Sequence, residues 1–176
     1  CVLMKRPDLP FQGCVQSEAL IYDCEVADVH RLVASVGPEV RAVRAVAGKV
    51  ASQIGDLLAS GVSTIHVLGH GKPGQVELAG FVLDELAWEG IVDRAQTQSI
   101  ETGSSEALAE NVGEGAISHK LEINFWSCQT GDGVMGKNYT QRVANLCNAN
   151  VNASSGLIGH EKLGGSWELD VMSYPK

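Results

Sequence analysis

The chain has no apolar run approaching the roughly 18 residues that a membrane-spanning helix needs. Its longest runs, such as Ser63 to Gly69, have the length of a strand, so direct membrane insertion is not expected. Among its 5 cysteines there is no Cys-x-x-Cys pair, which speaks against a structural zinc site. There is no local cluster of Lys or Arg, and the formal net charge is −8. Such a balance repels phosphate backbones and anionic lipid, so nucleic acid is not an expected partner and protein or peptide is. Disorder and fibrous repeats are excluded by composition, since 44% of residues are hydrophobic and only 19% are charged. What remains is a chain of 176 residues, long enough for one domain that buries about two thirds of its unfolded surface.

The cysteines are Cys1, Cys14, Cys24, Cys128 and Cys147. An odd count fits one free reactive thiol beside up to two disulfides, and fits five reduced thiols equally well. Two Asn-x-Ser/Thr triplets, at Asn138 and Asn152, are usable in a eukaryotic secretory pathway. The start at Cys1, without Met or a signal peptide, reads as a domain cut from a larger protein.

Residues 1–17 have no periodicity and read as an extended arm before a single domain over 18–176. From Ala19 onward strand and helix patterns alternate. Residues 19–23, 40–46, 64–69, 121–126 and 150–154 are apolar or β-branched runs of strand length. Val26 to Val36, Val50 to Leu58, Leu83 to Asp93 and Gly136 to Leu146 carry apolar residues at helical spacing. Gly69 to Gly74 is too rich in glycine to continue either element, and Gln75 to Val82 reads as a hairpin around Ala79-Gly80. Residues 95–118 are polar and poorly periodic, which predicts a loop or insertion, with 96–105 its mobile part. Leu157 to Leu169, with Gly164-Gly165 inside it, reads as a C-terminal hairpin anchored by Trp167. The alternation predicts an α/β fold, a mostly parallel sheet with helices on both faces. Such sheets bind ligands at the carboxyl ends of their strands.

Two loops at that edge carry the chemistry. His70 follows the third strand in Gly69-His70-Gly71, and Cys128 follows the fourth in Ser127-Cys128-Gln129-Thr130-Gly131. In a parallel sheet both emerge on one edge. A thiol becomes a useful nucleophile when an imidazole takes its proton, and histidine is suited to this near neutral pH. Backbone N–H groups of Gly71 and Cys128 are candidate oxyanion donors, and Gly71 permits close approach of a substrate. The bland alternative is an inert buried cysteine beside a structural histidine. Asp23, at the exit of the first strand, and Asp132 are candidates to line a pocket for a basic side chain, which predicts Lys or Arg before the scissile bond. For Asp23 the alternative is an N-cap of the helix near Val26. Trp126 is a candidate pocket wall or a core residue. His66, His119 and His160 read as structural or exposed. No metal and no cofactor is expected.

An apolar block followed by His-Gly, and a later one followed by a small residue and Cys, resemble the two motifs of clan CD cysteine peptidases, the group of caspases, legumain, gingipain and clostripain. A closer resemblance runs from Ala19 to Asp170, through Ile65 to Gly74, Phe125 to Gly131, Asn152 to Gly159 and Leu163 to Leu169. Over that span the chain is similar to a domain-of-unknown-function family, DUF4347, found near the start of long bacterial surface or secreted proteins. The chain departs from the family pattern in its longer polar stretch between 95 and 118. The resemblance implies a caspase-like three-layer sandwich, a Cys128–His70 dyad, peptide-bond hydrolysis, and the parent chain itself as one candidate substrate in a secreted or cell-surface setting. The rival expectations are a non-catalytic interaction or assembly module that keeps the fold, and a thiol-dependent transferase on the same site.

Overall fold

The computed structural model describes residues 17–101 and 120–176. The expected N-terminal arm, apart from Ser17, lies outside the described residues. In chain order the elements are β1 (Glu18–Tyr22), α1 (Val29–Ser35), β2 (Val40–Arg44), α2 (Val50–Ala59), β3 (Thr64–Leu68), β4 (His70–Lys72), β5 (Gln75–Leu78), β6 (Phe81–Leu83), α3 (Glu85–Glu101), β7 (Glu122–Trp126), α4 (Gly133–Cys147), β8 (Asn150–Ala153) and β9 (Val171–Ser173). The fold is mixed α/β. One six-stranded sheet has the order β2-β1-β3-β7-β8-β9, and β4-β5-β6 form a small second sheet. All pairings in the large sheet are parallel except β8 with β9.

Strand order dictates where the helices go. A crossover between parallel strands is right-handed almost without exception, so reversing the direction of travel along the sheet moves the connecting helix to the other face. From β1 to β2 the chain steps one way, and α1 lands on one face. From β2 past β1 to β3, and then to β7 and β8, every step runs the other way. Accordingly α2, α3 and α4 share the opposite face. There Val50, Ile54, Leu57, Trp88, Ile91 and Val143 close over Ile21, Val67, Phe125 and Val151 in one continuous core. At about 1.5–3 kcal/mol for each large apolar side chain removed from water, this layer supplies most of the driving force. The other face holds a smaller cluster of Leu20, Val29 and Leu68, with Leu32, Val36, Val40 and Trp126 against it.

Polar atoms inside the large core are paired. Tyr139 Oη accepts from Trp88 Nε1 at 2.9 Å and donates to the Leu83 carbonyl at 2.8 Å, which ties α3, α4 and β6 together. Ala79 and Gly80 connect β5 to β6, both with positive φ (48° and 75°), as a type I′ hairpin turn requires.

Several expectations are corrected. Residues 96–101 are helical, not loop: Trp88, Ile91, Val92 and Ala95 hold α3 against its neighbours, and no Gly or Pro interrupts the polar continuation before Gly103. Residues 102–118 of that expected loop lie outside the described residues. His70–Lys72 is a strand, β4, because it pairs with β5 across the Pro73-Gly74 turn. The C-terminal hairpin over Leu157–Leu169 is instead a loop. A single bridge joins Ile158 to Ser166, a 3₁₀ turn occupies Glu161–Leu163, and the antiparallel edge strand β9 comes later. The glycines that suggested a hairpin serve another purpose: a side chain on Gly165 would strike the Gly159 backbone at 2.7 Å.

Burial pushes the Cys147 thiol, packed against the core from the end of α4, up to about 12 from 9.0, and pushes the Tyr139 phenol up as well. The folded state thus holds the Cys147 proton where the unfolded chain has released it. This stabilisation is complete below pH 9.0 and is lost as pH rises toward about 12. The midpoint of urea unfolding is expected to fall above pH 9, by up to about 1.4 kcal/mol per pH unit while this one thiol titrates. Cys147→Ala should flatten that dependence below pH 10, and an unchanged slope in the variant would refute the assignment.

Candidate functional site

β3 and β7 are adjacent and parallel, with Leu68 directly opposite Trp126. Each strand continues into a buried small residue, Gly69 or Ser127, and then into His70 or Cys128. Equal offsets from paired positions carry both side chains to the same end of the sheet. His70 is exposed, and Cys128 is half-buried with a free thiol. Glycine is what allows the two loops to meet. A Cβ on Gly71 would lie 2.5 Å from the Cys128 carbonyl oxygen and 2.5 Å from Thr130 Oγ1, so the strand after His70 packs directly on the turn that carries Cys128.

That turn is fixed from several sides. Gln129, directly after the cysteine, has φ 57°, a left-handed conformation that an ordinary side chain adopts only when its surroundings enforce it. The enforcing contacts are Gln129 N–H to the Gly156 carbonyl (2.7 Å), Gly131 N–H to the Ser154 carbonyl (2.9 Å) and Asp132 N–H to the Gln129 carbonyl (2.9 Å). Ser127 and Thr130 hydroxyls pair at 2.6 Å beneath it. The first turn of α4 abuts it so closely that a Cβ on Gly136 would overlap the Gly131 backbone. Ile158 N–H donates to Cys128 Sγ at 3.4 Å, and the thiol reaches back to the Ile158 carbonyl at 3.9 Å. The Cys128 amide has no backbone acceptor among the described residues.

Of the remaining candidates, Asp23 is turned to the backbone and not to a groove. It is 2% exposed, and its two oxygens accept from the amides of Glu25 (2.9 Å) and Ala79 (2.7 Å). It therefore pins the β5–β6 turn to the end of β1, and the residue at the N-cap of α1 is Asp28. Asp132 occupies the N-cap position of α4, half-buried, without a side-chain capping bond. Trp126 is a wall: it borders two grooves on the sheet face that carries α1.

That face also holds a chain of polar side chains for which the sequence reading assigned no role. Asn152 donates to Asn124 (2.8 Å), and Asn124 donates to Glu122 (2.8 Å) and approaches His66 Nδ1 (3.4 Å). Trp126 Nε1 donates to His66 Nδ1 at 3.1 Å, which assigns the ring proton to Nε2, facing Glu18 at 3.2 Å. The signal was present: Asn152, Asn124, His66 and Leu20 are register partners across four strands, so polar residues at alternate positions share one face. His66 thereby sets the plane of the Trp126 indole.

The first groove, about 370 Å³, lies between α1 and the ends of β3 and β7. Leu20, Leu32, Val36, Leu68, Trp126 and Trp167 line it. The second, about 440 Å³, crosses β7, β8 and β9 with Asn124, Asn152, Met172 and Tyr174 in its lining. His70, Gly71 and Glu77 border a small third hollow of about 80 Å³. Elsewhere Cys24 Sγ accepts from Arg44 at 3.4 Å. Among the described residues no group of three or more His, Cys, Asp or Glu side chains could hold a metal ion, and no helix is long and apolar enough to cross a membrane.

The family model for a domain of unknown function, DUF4347, matches residues 19–174, nearly the whole of the described fold. The chain belongs to that family. No curated protein and no solved structure matches it. In this DUF4347 domain the contact of Gly71 with the Cys128 turn is the tightest link between the two loops. Gly71→Ala should displace the turn and cost about 1–3 kcal/mol, the usual penalty for overpacking against backbone. A urea midpoint within error of the parent's, together with an unchanged rate of Cys128 alkylation, would contradict that packing.

Proposed function

We propose that this DUF4347 domain is a cysteine endopeptidase of caspase-like architecture, acting through a Cys128–His70 dyad without a cofactor. The observation that carries the reading is the register of β3 and β7, which delivers His70 and Cys128 from paired positions to one sheet end, with Gly71 seated on the Cys128 carbonyl. That end adjoins the point where the strand order reverses, between β1 and β3, the usual ligand crevice of open α/β sheets.

In this reading His70 accepts the Cys128 proton and the sulfur attacks the scissile carbonyl carbon. Negative charge on the carbonyl oxygen meets the N–H groups of Gly71 and Cys128. The amide C–N bond breaks as His70 returns the proton to the leaving amine. Water then attacks the thioester, again with His70 as base, and releases the carboxylic acid and the free thiol. The Ile158 amide directed at the sulfur complements negative charge there. A peptide or protein substrate, with the parent chain among the candidates, and a secreted or cell-surface setting belong to the same proposal.

A second reading is a non-catalytic interaction module. Met172 (60% exposed) and Tyr174 (57%) on the sheet face favour it, since large exposed apolar side chains mark contact surfaces.

Iodoacetamide and substitution separate the two. Selective alkylation of Cys128 at neutral pH is expected, with Cys147 reacting only after denaturation. Cys128→Ala and His70→Ala should each abolish peptide cleavage with the urea midpoint retained, and the double variant should be hardly worse than either single one. Sluggish alkylation of every cysteine, or cleavage that survives Cys128→Ala, would overturn the peptidase reading in favour of the module.

A further inference from the structure

Resting on the peptidase reading, we infer that the groove between α1 and Trp126 receives a large apolar side chain of the substrate, at the residue adjoining the scissile bond. The domain is thereby selective for peptides with Leu, Met, Phe or Tyr at that position.

Placement is the first argument. Leu68 and Trp126 line the groove and are the last residues of the paired strands, two before His70 and Cys128, so the groove lies at the strand ends that lead into the dyad. A second connection runs through the loop after β8. Ile158 meets Cys128 Sγ, bridges to Ser166, and the next residue, Trp167, sits against Trp126 with ring centroids 6.3 Å apart. One loop therefore positions both the sulfur's partner and the groove's outer wall.

The lining is the second argument. Leu20, Leu32, Val36, Leu68, Trp126 and Trp167 supply the walls, and among the described residues no Asp, Glu, Lys or Arg lines the space. His66, the one titratable group in the lining among the described residues, has one ring nitrogen facing Glu18 and the other accepting from Trp126. A charged side chain entering this space would lose water without gaining a partner, whereas an apolar one would gain burial. A volume of about 370 Å³ falls within the range of ligand pockets, about 300–1,000 Å³. Asp23, the carboxylate best placed in sequence to select a basic residue, is committed to the amides of Glu25 and Ala79.

The test uses peptidyl acyloxymethyl ketones that differ only in the residue next to the ketone: Leu, Phe, Lys or Asp. The Cys128 sulfur displaces the carboxylate of the reagent, forming a C–S bond as the C–O bond breaks and the thiol proton leaves through His70, so labelling needs no turnover. Leu and Phe reagents are expected to label Cys128 at least tenfold faster than Lys and Asp reagents. Trp167→Ala, at an exposed position, should narrow that ratio severalfold. Val36→Asp should raise labelling by the Lys reagent relative to Leu at least tenfold. Iodoacetamide, which needs no pocket, is the control: each ketone's rate is divided by the iodoacetamide rate at Cys128 of the same variant, so that a change in the thiol itself cancels from the comparison. If iodoacetamide alkylates Cys128 but the Lys or Asp reagent is fastest, or both variants keep the parent's ratios, the groove assignment is overturned and the nucleophile stands. If nothing labels Cys128, both fall together.

Discussion

The handedness of the crossovers is the constraint on which the rest of this domain depends. Once the first step goes from β1 outward to β2 and every later step goes the other way, right-handed connection leaves no choice of face. Three helices must stack on one side and α1 alone on the other. The three-helix side becomes the core, continuous from Val50 to Val143. On the α1 side a small cluster of Leu20, Val29 and Leu68 reaches as far as Trp126, and farther along the sheet the same face presents Asn124, Asn152 and Met172. Candidate recognition sits on this side, where Leu68 and Trp126 join the cluster under α1, and candidate chemistry sits at the ends of the same strands, where β3 passes through Gly69 into β4 and β7 passes through Ser127 into the Cys128 turn.

Around that frame, glycine and one buried carboxylate set the distances. Gly71 and Gly136 each occupy a position where a Cβ would strike the Cys128 turn or its continuation at Gly131, so β4, that turn and α4 stack closely, while Gly131 makes room for the Val171 side chain of β9. Asp23 does the same for the far side of the small sheet by holding the Ala79 amide. A buried carboxylate accepting two backbone amides is satisfied without a cation. The small antiparallel sheet is thus tied to the large one at both ends, at Asp23 and at Gly71, and His70 lies on its first strand.

Much of this was legible in the sequence, for reasons that particular residues make plain. Ala19-Leu20-Ile21 is apolar on both faces, as an inner strand of a parallel sheet is, Ile65 to Leu68 breaks that pattern only at His66, and glycine followed by histidine marks where the run ends. The turn at Ala79-Gly80 announced itself through its composition. What was not legible depended on partners distant in sequence. The end of α3 is polar, and nothing local distinguishes a polar helical end from a loop when the apolar anchors lie one or two turns earlier. Asp23 could be read as a helix cap or a pocket acid because its real partner, the Ala79 amide, is 56 positions away. Gly164-Gly165 suggested a hairpin because glycine marks a close approach without saying what approaches.

The ladder from Asn152 through Asn124 to His66 and Trp126 has a consequence for the site itself. Polar side chains on an inner strand face are costly unless each finds a partner, and here every link is made. The indole of Trp126 belongs to two environments at once: its N–H is bound to His66 in the ladder, and its ring borders the apolar groove. Rotation of the ring away from the groove would break the bond from the indole N–H to His66 Nδ1, at about 1 kcal/mol. The polar face of the sheet therefore holds the apolar wall in place, and a groove with a fixed wall discriminates among side chains better than one whose wall yields, since a ligand that fits poorly cannot recover contact by moving it.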